Sequence, residues 1–302
     1  MKSKVSIIKG SDRHYNITKA LELLEVEIEK KIKDKQRILV KPNLVTAKFE
    51  KQAAVTHVDA LAAVLDFIIP RKSKKAKIII GEDCASDDTV KAFDNFGYKD
   101  LQKKYKIELC DLSKDKVVPV KIYSKTLKKD LKQHVFKTFL DSDFIISVGP
   151  PKTHDSVIVT LSLKNIVIGG LAEKYKTGKE NFHQGPKALN LSIARLAKVI
   201  HPDLSVIDGF VSMEGNGPTN GEIVNTKLAL VSLDFLAADS LMTRIMGFDP
   251  EEIGYLHYCG KLNLGKMKLS DLKILGNTNW QKNIRKFKPH LTYFLQKRWK
   301  MD

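Results

Sequence analysis

A chain of 302 residues, 43% hydrophobic and 29% charged, has the composition of a globular protein and can bury one large or two small cores. No stretch approaches the roughly 18 consecutive apolar residues of a membrane span, and no secretory leader is recognisable at Met1–Gly10, so the expected location is the cytoplasm. The 52 Lys and Arg against 35 Asp and Glu give a net charge of +17, which suits either a solvated basic surface or attraction to phosphorylated substrates, nucleic acid or anionic lipid.

The first hundred residues alternate strand and helix. Val5 to Ile8 is a short apolar run. Ile17 to Ile32 carries Leu21, Leu24, Ile28 and Ile32 at helical spacing, with Asn16 as the expected N-cap. Ile38 to Val40 is a buried strand ending in Lys41-Pro42-Asn43. Val58 to Ile69 is a helix capped by Thr56 or His57 and stopped by Pro70. Ile78 to Ile80 is a strand ending in Gly81-Glu82-Asp83. This β-α-β-α-β order implies a parallel sheet with right-handed crossovers. A Lys-rich, weakly apolar stretch, about 113–140, is expected as a small β excursion. Phe144 to Val148 resumes the core, and Thr160 to Ile168 is an apolar run ending in Gly169-Gly170.

Polar, glycine-bearing residues 171–187 are expected as a mobile loop. A helix over Leu189–Ile200 follows, then strands at Leu204–Ile207 and Leu228–Val231. Helices are expected over about Asp234–Met246 and Pro250–Tyr258, and a last strand at Leu272–Leu275. The expected architecture is α/β: a mixed, mainly parallel sheet flanked by helices, with a small β-rich insertion and a helical C-terminal tail. The tail mixes Lys282, Arg285, Lys286, Lys288, Lys297, Arg298 and Lys300 with Trp280, Phe287, Tyr293, Phe294 and Trp299. Such a segment either packs its aromatics onto the domain or serves as an interfacial or nucleic-acid-binding surface.

The densest chemistry lies in Ser147–Asn165, where a strand runs into Gly149-Pro150-Pro151. Lys152, His154, Asp155, Lys164 and Asn165 then follow within a few residues. Ligands in open α/β folds bind beyond the carboxyl ends of strands. Lys41 and Asn43, Glu82 and Asp83, Lys152 and His154, and Asp208 all fall after strands, so one shared cleft is expected. Lys152 and His154 suit oxyanion binding or proton transfer. Lys164, if buried, needs an anionic partner such as Asp208, or a ligand. In DGFVSMEGNGPTNGE (208–222), Asp208, Glu214 and Glu222 offer hard oxygen ligands for a divalent cation, while exposed amides near Asn216 suit an anion. Asp239 in an apolar helix needs a partner and is a further candidate. His183 and His57 are weaker candidates.

Three cysteines, Cys84, Cys110 and Cys259, include no C-x-x-C pair, so no four-thiolate zinc site or cysteine-ligated iron–sulfur cluster is expected within the chain. Their sparse, odd number suits a reducing compartment.

VKPNL (40–44), TH (56–57), GED (81–83), PKTH (151–154), TLSLKN (160–165), His183, PDLSVIDG (202–209), MEGNGPTNGE (213–222) and LDFLAADSLMTRIMGFDP (233–250) follow the order and spacing of the domain-of-unknown-function-362 family, which the chain resembles over about residues 1–276. The tail, 277–302, lies outside the resemblance. The likeness implies an α/β protein of largely unassigned activity. Many such relatives carry a ferredoxin-like module with two four-iron clusters, whose cysteines are missing here, so any electron transfer would need a separate ferredoxin. The N-terminal pattern is also distantly similar to the nickel-pincer lactate racemases, whose tethering lysine and nickel-binding histidine do not map onto positions here.

The expected function is an enzyme for a small anionic substrate. Lys41, Asn43, Lys152, Lys164, Asn165, His183 and Asn216 would orient the substrate, with His154 as acid or base, and Asp208, Glu214 and Asp239 would hold a metal ion or orient the cations. The alternatives are a binding protein without turnover, holding nucleic acid or an acidic partner through its basic surface, and a redox accessory protein.

Overall fold

The computed structural model describes residues 2–172 and 182–301. The strands are, in chain order, β1 (Ser3–Lys9), β2 (Arg37–Lys41), β3 (Lys77–Glu82), β4 (Glu108–Asp111), β5 (Val117–Tyr123), β6 (Asp130–Phe136), β7 (Phe144–Gly149), β8 (Lys152–His154), β9 (Ile158–Thr160), β10 (Leu204–Gly209), β11 (Ser212–Glu214), β12 (Glu222–Val224), β13 (Leu228–Ser232) and β14 (Leu272–Gly276). The helices are α1 (Arg13–Glu22), α2 (Glu25–Ile32), α3 (Val58–Ile68), α4 (Thr89–Asn95), α5 (Tyr98–Tyr105), α6 (Lys137–Asp141), α7 (Ser162–Gly169), α8 (Pro186–Leu196), α9 (Phe235–Ile245), α10 (Gly254–Lys261) and α11 (Tyr293–Gln296).

An eight-stranded sheet runs β14-β1-β13-β10-β7-β2-β3-β4, and only β13 opposes its neighbours. Alternate residues of each strand feed opposite cores. Ile38, Val40, Ile146 and Val206 join the side chains of α1, α2 and α3. Leu39, Ile145 and Ile207 join those of α7 to α10 on the other face. From the centre the chain steps outward in two directions, β2 to β3 to β4 and β7 to β10 to β13. Strand order therefore reverses between β2 and β7, where Lys41 pairs in register with Ser147. A crevice opens at such a reversal because the flanking connections leave on opposite faces.

The helix expected over Ile17–Ile32 is two helices, broken at Leu24, whose backbone leaves the helical region at φ −120°, ψ 14°. The cap is Asp12, accepting from Tyr15 N at 2.7 Å. Asn16 is instead buried and donates to Gly10 O and Lys227 O. His57 caps α3 by accepting from Asp59 N at 3.2 Å. The Lys-rich excursion is the β5–β6 hairpin. The apolar run at Thr160–Ile168 is the end of β9 followed by α7, so Lys164 and Asn165 sit in a helix rather than at a strand end. The helix expected over Pro250–Tyr258 is a short turn followed by α10. The centre of the expected loop, 173–181, lies outside the described residues.

In the tail, Phe287 and Trp299 are buried, and Trp299 donates to Glu252 O at 3.1 Å. Lys297 and Lys300 pair with the Glu252 carboxylate. Among the described residues, no helix is long and apolar enough to cross a membrane.

Candidate active site

Two strand ends supply the floor of the site. Lys41 closes β2 and Glu82 closes β3, the neighbouring parallel strand. Their side chains are almost fully enclosed, at 1% and 5% exposure, and form an ion pair. Lys41 also donates to Pro42 O at 2.7 Å, while Glu82 accepts from Leu44 N at 3.0 Å. Two charges removed from water at adjacent strand ends are tolerable only with such mutual pairing and backbone contacts. Gly169 makes room for this arrangement, since a Cβ there would collide with Lys41 Cε.

After β7, Pro150-Pro151 turn the chain into β8, which carries Lys152 and His154. Lys152 is fully buried and donates to Asn43 Oδ1 and to Ala54 O. Burial first, then the nearby Lys164 charge, lowers its pKa to about 7. Asn165 links the two strand ends, donating from Nδ2 to Lys41 O at 3.2 Å and to Ser147 Oγ at 3.0 Å.

His154 connects the interior to the rim. Its Nε2 lies 3.0 Å from Lys164 Nζ, and its Nδ1 lies 2.9 Å from Asp155 Oδ1. Burial and then the Lys164 charge hold its pKa down, at about 3, so the ring is neutral at pH 7. Asp155, half exposed, is held well below the usual carboxylate range, chiefly by its bond to His154. Two neighbours compete for Nδ1: the Asp155 carboxylate would take its proton, whereas Ser156 N, 3.1 Å away, would donate to its lone pair. A neutral imidazole carries one proton on one nitrogen. With Nδ1–H directed at Asp155, Nε2 accepts from the Lys164 ammonium; with Nδ1 accepting from Ser156, Nε2–H points at a neutral Lys164 amine. An ammonium can only donate, so a charged Lys164 is compatible only with the arrangement in which Nε2 accepts and the ring proton lies on Nδ1.

These groups open into a cleft of about 270 Å³ lined by Lys41, Asn43, Glu82, Lys152, His154, Lys164 and Asn165 on its polar side and by Leu44, Val157, Ile168, Phe182 and Leu189 on its apolar side. The volume suits a small ligand. Exposed His183 and also Pro218 line its edge. The glycine-rich segment packs here, with Gly217 so close to Thr153 O that a side chain would not fit.

The expected metal carboxylates do not come together. Asp208 pairs with Arg13, with Nε to Oδ2 at 3.0 Å, and burial raises its pKa. It is therefore not the partner of Lys164, which meets His154. Glu214 accepts from Lys288 N at 3.2 Å and faces Arg285 Nη2 at 3.4 Å. Asp239 accepts from Ser162 N and Leu163 N, both at 2.9 Å, at the start of α7. Burial pushes its carboxyl up to about 7 against the pull of those two donors. None of the three lines the cleft, nor does exposed Asn216. Among the described residues, no three His, Cys, Asp or Glu gather to hold a metal ion.

Three further contributors were not singled out from the sequence. Glu82 appeared there only as one of a polar pair after a strand. Gln296, from α11, donates to His154 O at 2.9 Å and accepts from Ile158 N. Thr292 donates to Asp155 O at 2.6 Å. The tail thus clamps the loop that carries His154 and Asp155.

The family model for a domain of unknown function (DUF362) matches residues 38–244. The thylakoid-associated protein sll1697 of Synechocystis sp. is 27% identical over 228 residues, 74% of this chain, and the chain spans 66% of that relative's length. The lactate racemase apoprotein of Thermoanaerobacterium thermosaccharolyticum aligns with a TM-score of 0.52 at 15% identity, over 80% of this chain and 56% of its own. At that identity the likeness is one of fold.

Proposed function

This chain belongs to the DUF362 family, and within it we propose an enzyme that binds a small anionic molecule between the ends of β2 and β7 and moves a proton to or from it through Lys164 and His154. The observation that carries this reading is the Asp155–His154–Lys164 hydrogen-bonded chain opening on the cleft. Lys164 supplies positive charge at the polar wall, and Lys152, whose pKa is lowered to about 7, adds to it when protonated. The apolar wall fits a carbon skeleton and keeps out water, which strengthens those interactions. Proton transfer by a positioned side chain of this kind contributes roughly 10²–10⁴-fold to rate. Three unpaired cysteines, Cys84, Cys110 and Cys259, accord with a reducing, cytoplasmic setting.

Calorimetric titration with a panel of small carboxylates and phosphate esters tests the binding step. At least one class should bind wild type, and Lys164→Met should weaken it about tenfold or more, the scale of a lost charge-assisted contact. Equal affinity in a folded variant would reject the cleft.

A second reading concerns the tail, whose exposed Lys282, Lys286 and Arg298 offer an anionic surface or nucleic acid a basic contact. The name of the Synechocystis relative, thylakoid-associated, is compatible with contact at a membrane surface. This role does not compete with the cleft.

A further inference from the structure

The last turns of the chain, residues 291–300, form one nearly continuous helical segment with two unlike faces. Thr292, Gln296 and Trp299 face inward and hold the segment to the domain through Asp155 O, His154 O and Glu252 O. Leu291, Phe294, Leu295 and Met301 face outward, exposed by 84%, 82%, 51% and 77%. Residues at i, i+3 and i+4 share one helical face, so the first three form a single apolar ridge. Ile284, 47% exposed, adds to the apolar character of the tail. Exposed Lys282, Lys286, Arg298 and Lys300 belong to the same tail.

We propose that this outward face docks on an anionic lipid surface, its apolar ridge entering the headgroup–acyl boundary and its lysines and Arg298 meeting lipid phosphates. The inference rests on the second reading above and specifies which anionic partner the tail takes. An exposed apolar face on a tail rich in basic residues has the character of an interfacial segment, and the net charge of +17 complements an anionic leaflet. Single-stranded nucleic acid would need aromatic platforms for its bases. Of the exposed ridge residues only Phe294 has a π face, Leu291, Leu295 and Met301 have none, and Trp299, the largest aromatic surface in the last turns, is buried, so successive bases would find one platform rather than a row. Because Thr292 and Gln296 join the same segment to the His154 loop, docking would place the cleft beside the lipid surface.

The test uses the full chain with vesicles of phosphatidylcholine alone and of phosphatidylcholine with phosphatidylglycerol, and with a single-stranded oligonucleotide. Wild type should co-sediment with the anionic vesicles only, less so as salt rises. The Leu291→Ser/Phe294→Ser double variant, which alters exposed positions, should lose about tenfold or more in vesicle partitioning. Lys282→Ala/Lys286→Ala should weaken it as well. Vesicle binding unchanged in the double variant would overturn the ridge while leaving a purely electrostatic tail contact standing. Oligonucleotide binding without vesicle binding would overturn the lipid assignment. Binding to neither would remove both the inference and the reading beneath it.

Discussion

Lys164 Nζ and His154 Nε2 stand 3.0 Å apart although they belong to different elements, the third residue of α7 and the last of β8. Their separation therefore depends on what fixes the start of α7. That anchor is Asp239, reaching across from α9 to accept the N–H groups of Ser162 and Leu163. A carboxylate at a helix N-terminus satisfies donors that the helix leaves unpaired and complements its dipole.

Asp239→Ala should cost about 1–2 kcal/mol for the lost cap, with more from the cavity left behind. It should also loosen the Lys164–His154 contact. Denaturant unfolding measures the first effect and the His154 titration the second. A variant as stable as wild type would show that Asp239 does not anchor α7.

The His154 ring should titrate higher once the neighbouring charge is removed. Burial and then Lys164 depress it, so Lys164→Met should raise its pKa, read from the ring carbon shifts by NMR. An unmoved titration in the variant would mean that the two groups do not interact.

Lys152 gives stability a pH signature. Its folded-state pKa, lowered to about 7, lies below the ordinary lysine value of 10.5. Below about pH 7 both folded and unfolded states hold the proton, and the folded state bears the whole cost of a buried ammonium. Between about 7 and 10 the folded state has released the proton while the unfolded state keeps it. The unfolded state then binds more protons, and stability rises with pH by at most about 1.4 kcal/mol per unit. Lys152→Met lacks this step. The unfolding free energy of wild type minus that of the variant should grow across this window, and a constant difference would contradict the assignment.

Glu82→Gln should destabilise by about 3–5 kcal/mol, because it leaves the Lys41 ammonium buried without its counter-charge. Replacing Lys41 and Glu82 together with Met and Leu should recover part of that loss. Chemical denaturation of both variants checks the pair, and a neutral single substitution would show that it is not buried as an ion pair.

Much of the fold was legible because strands buried on both faces read as short apolar runs, and the runs at Ile38–Val40, Ile78–Ile80, Phe144–Val148 and Leu204–Ile207 all lie in the central sheet. Lys41, Asn43, Lys152, His154, Lys164 and Asn165 could be grouped because they follow strand ends or lie near one in sequence. What was hidden depends on distance in sequence. Asp208 looked available until Arg13, at the start of α1, took it up. Asp239 looked like a site group, yet its partners are backbone amides that every sequence has. The start of α7 was missed because Thr160–Ile168 is short, and short, largely apolar runs do not separate helix from strand. The clamp by Gln296 has no local signature, since it depends on where the tail docks.

The most direct measurement is solvent deuterium incorporation into a ligand found by the titration panel, followed by NMR in wild type, His154→Gln and Lys164→Met. The account predicts exchange at one ligand position in wild type and its loss by about 10²-fold or more in both variants, with folding intact. Exchange at the wild-type rate in either folded variant, or a bound ligand that never exchanges, would contradict a proton-transfer site.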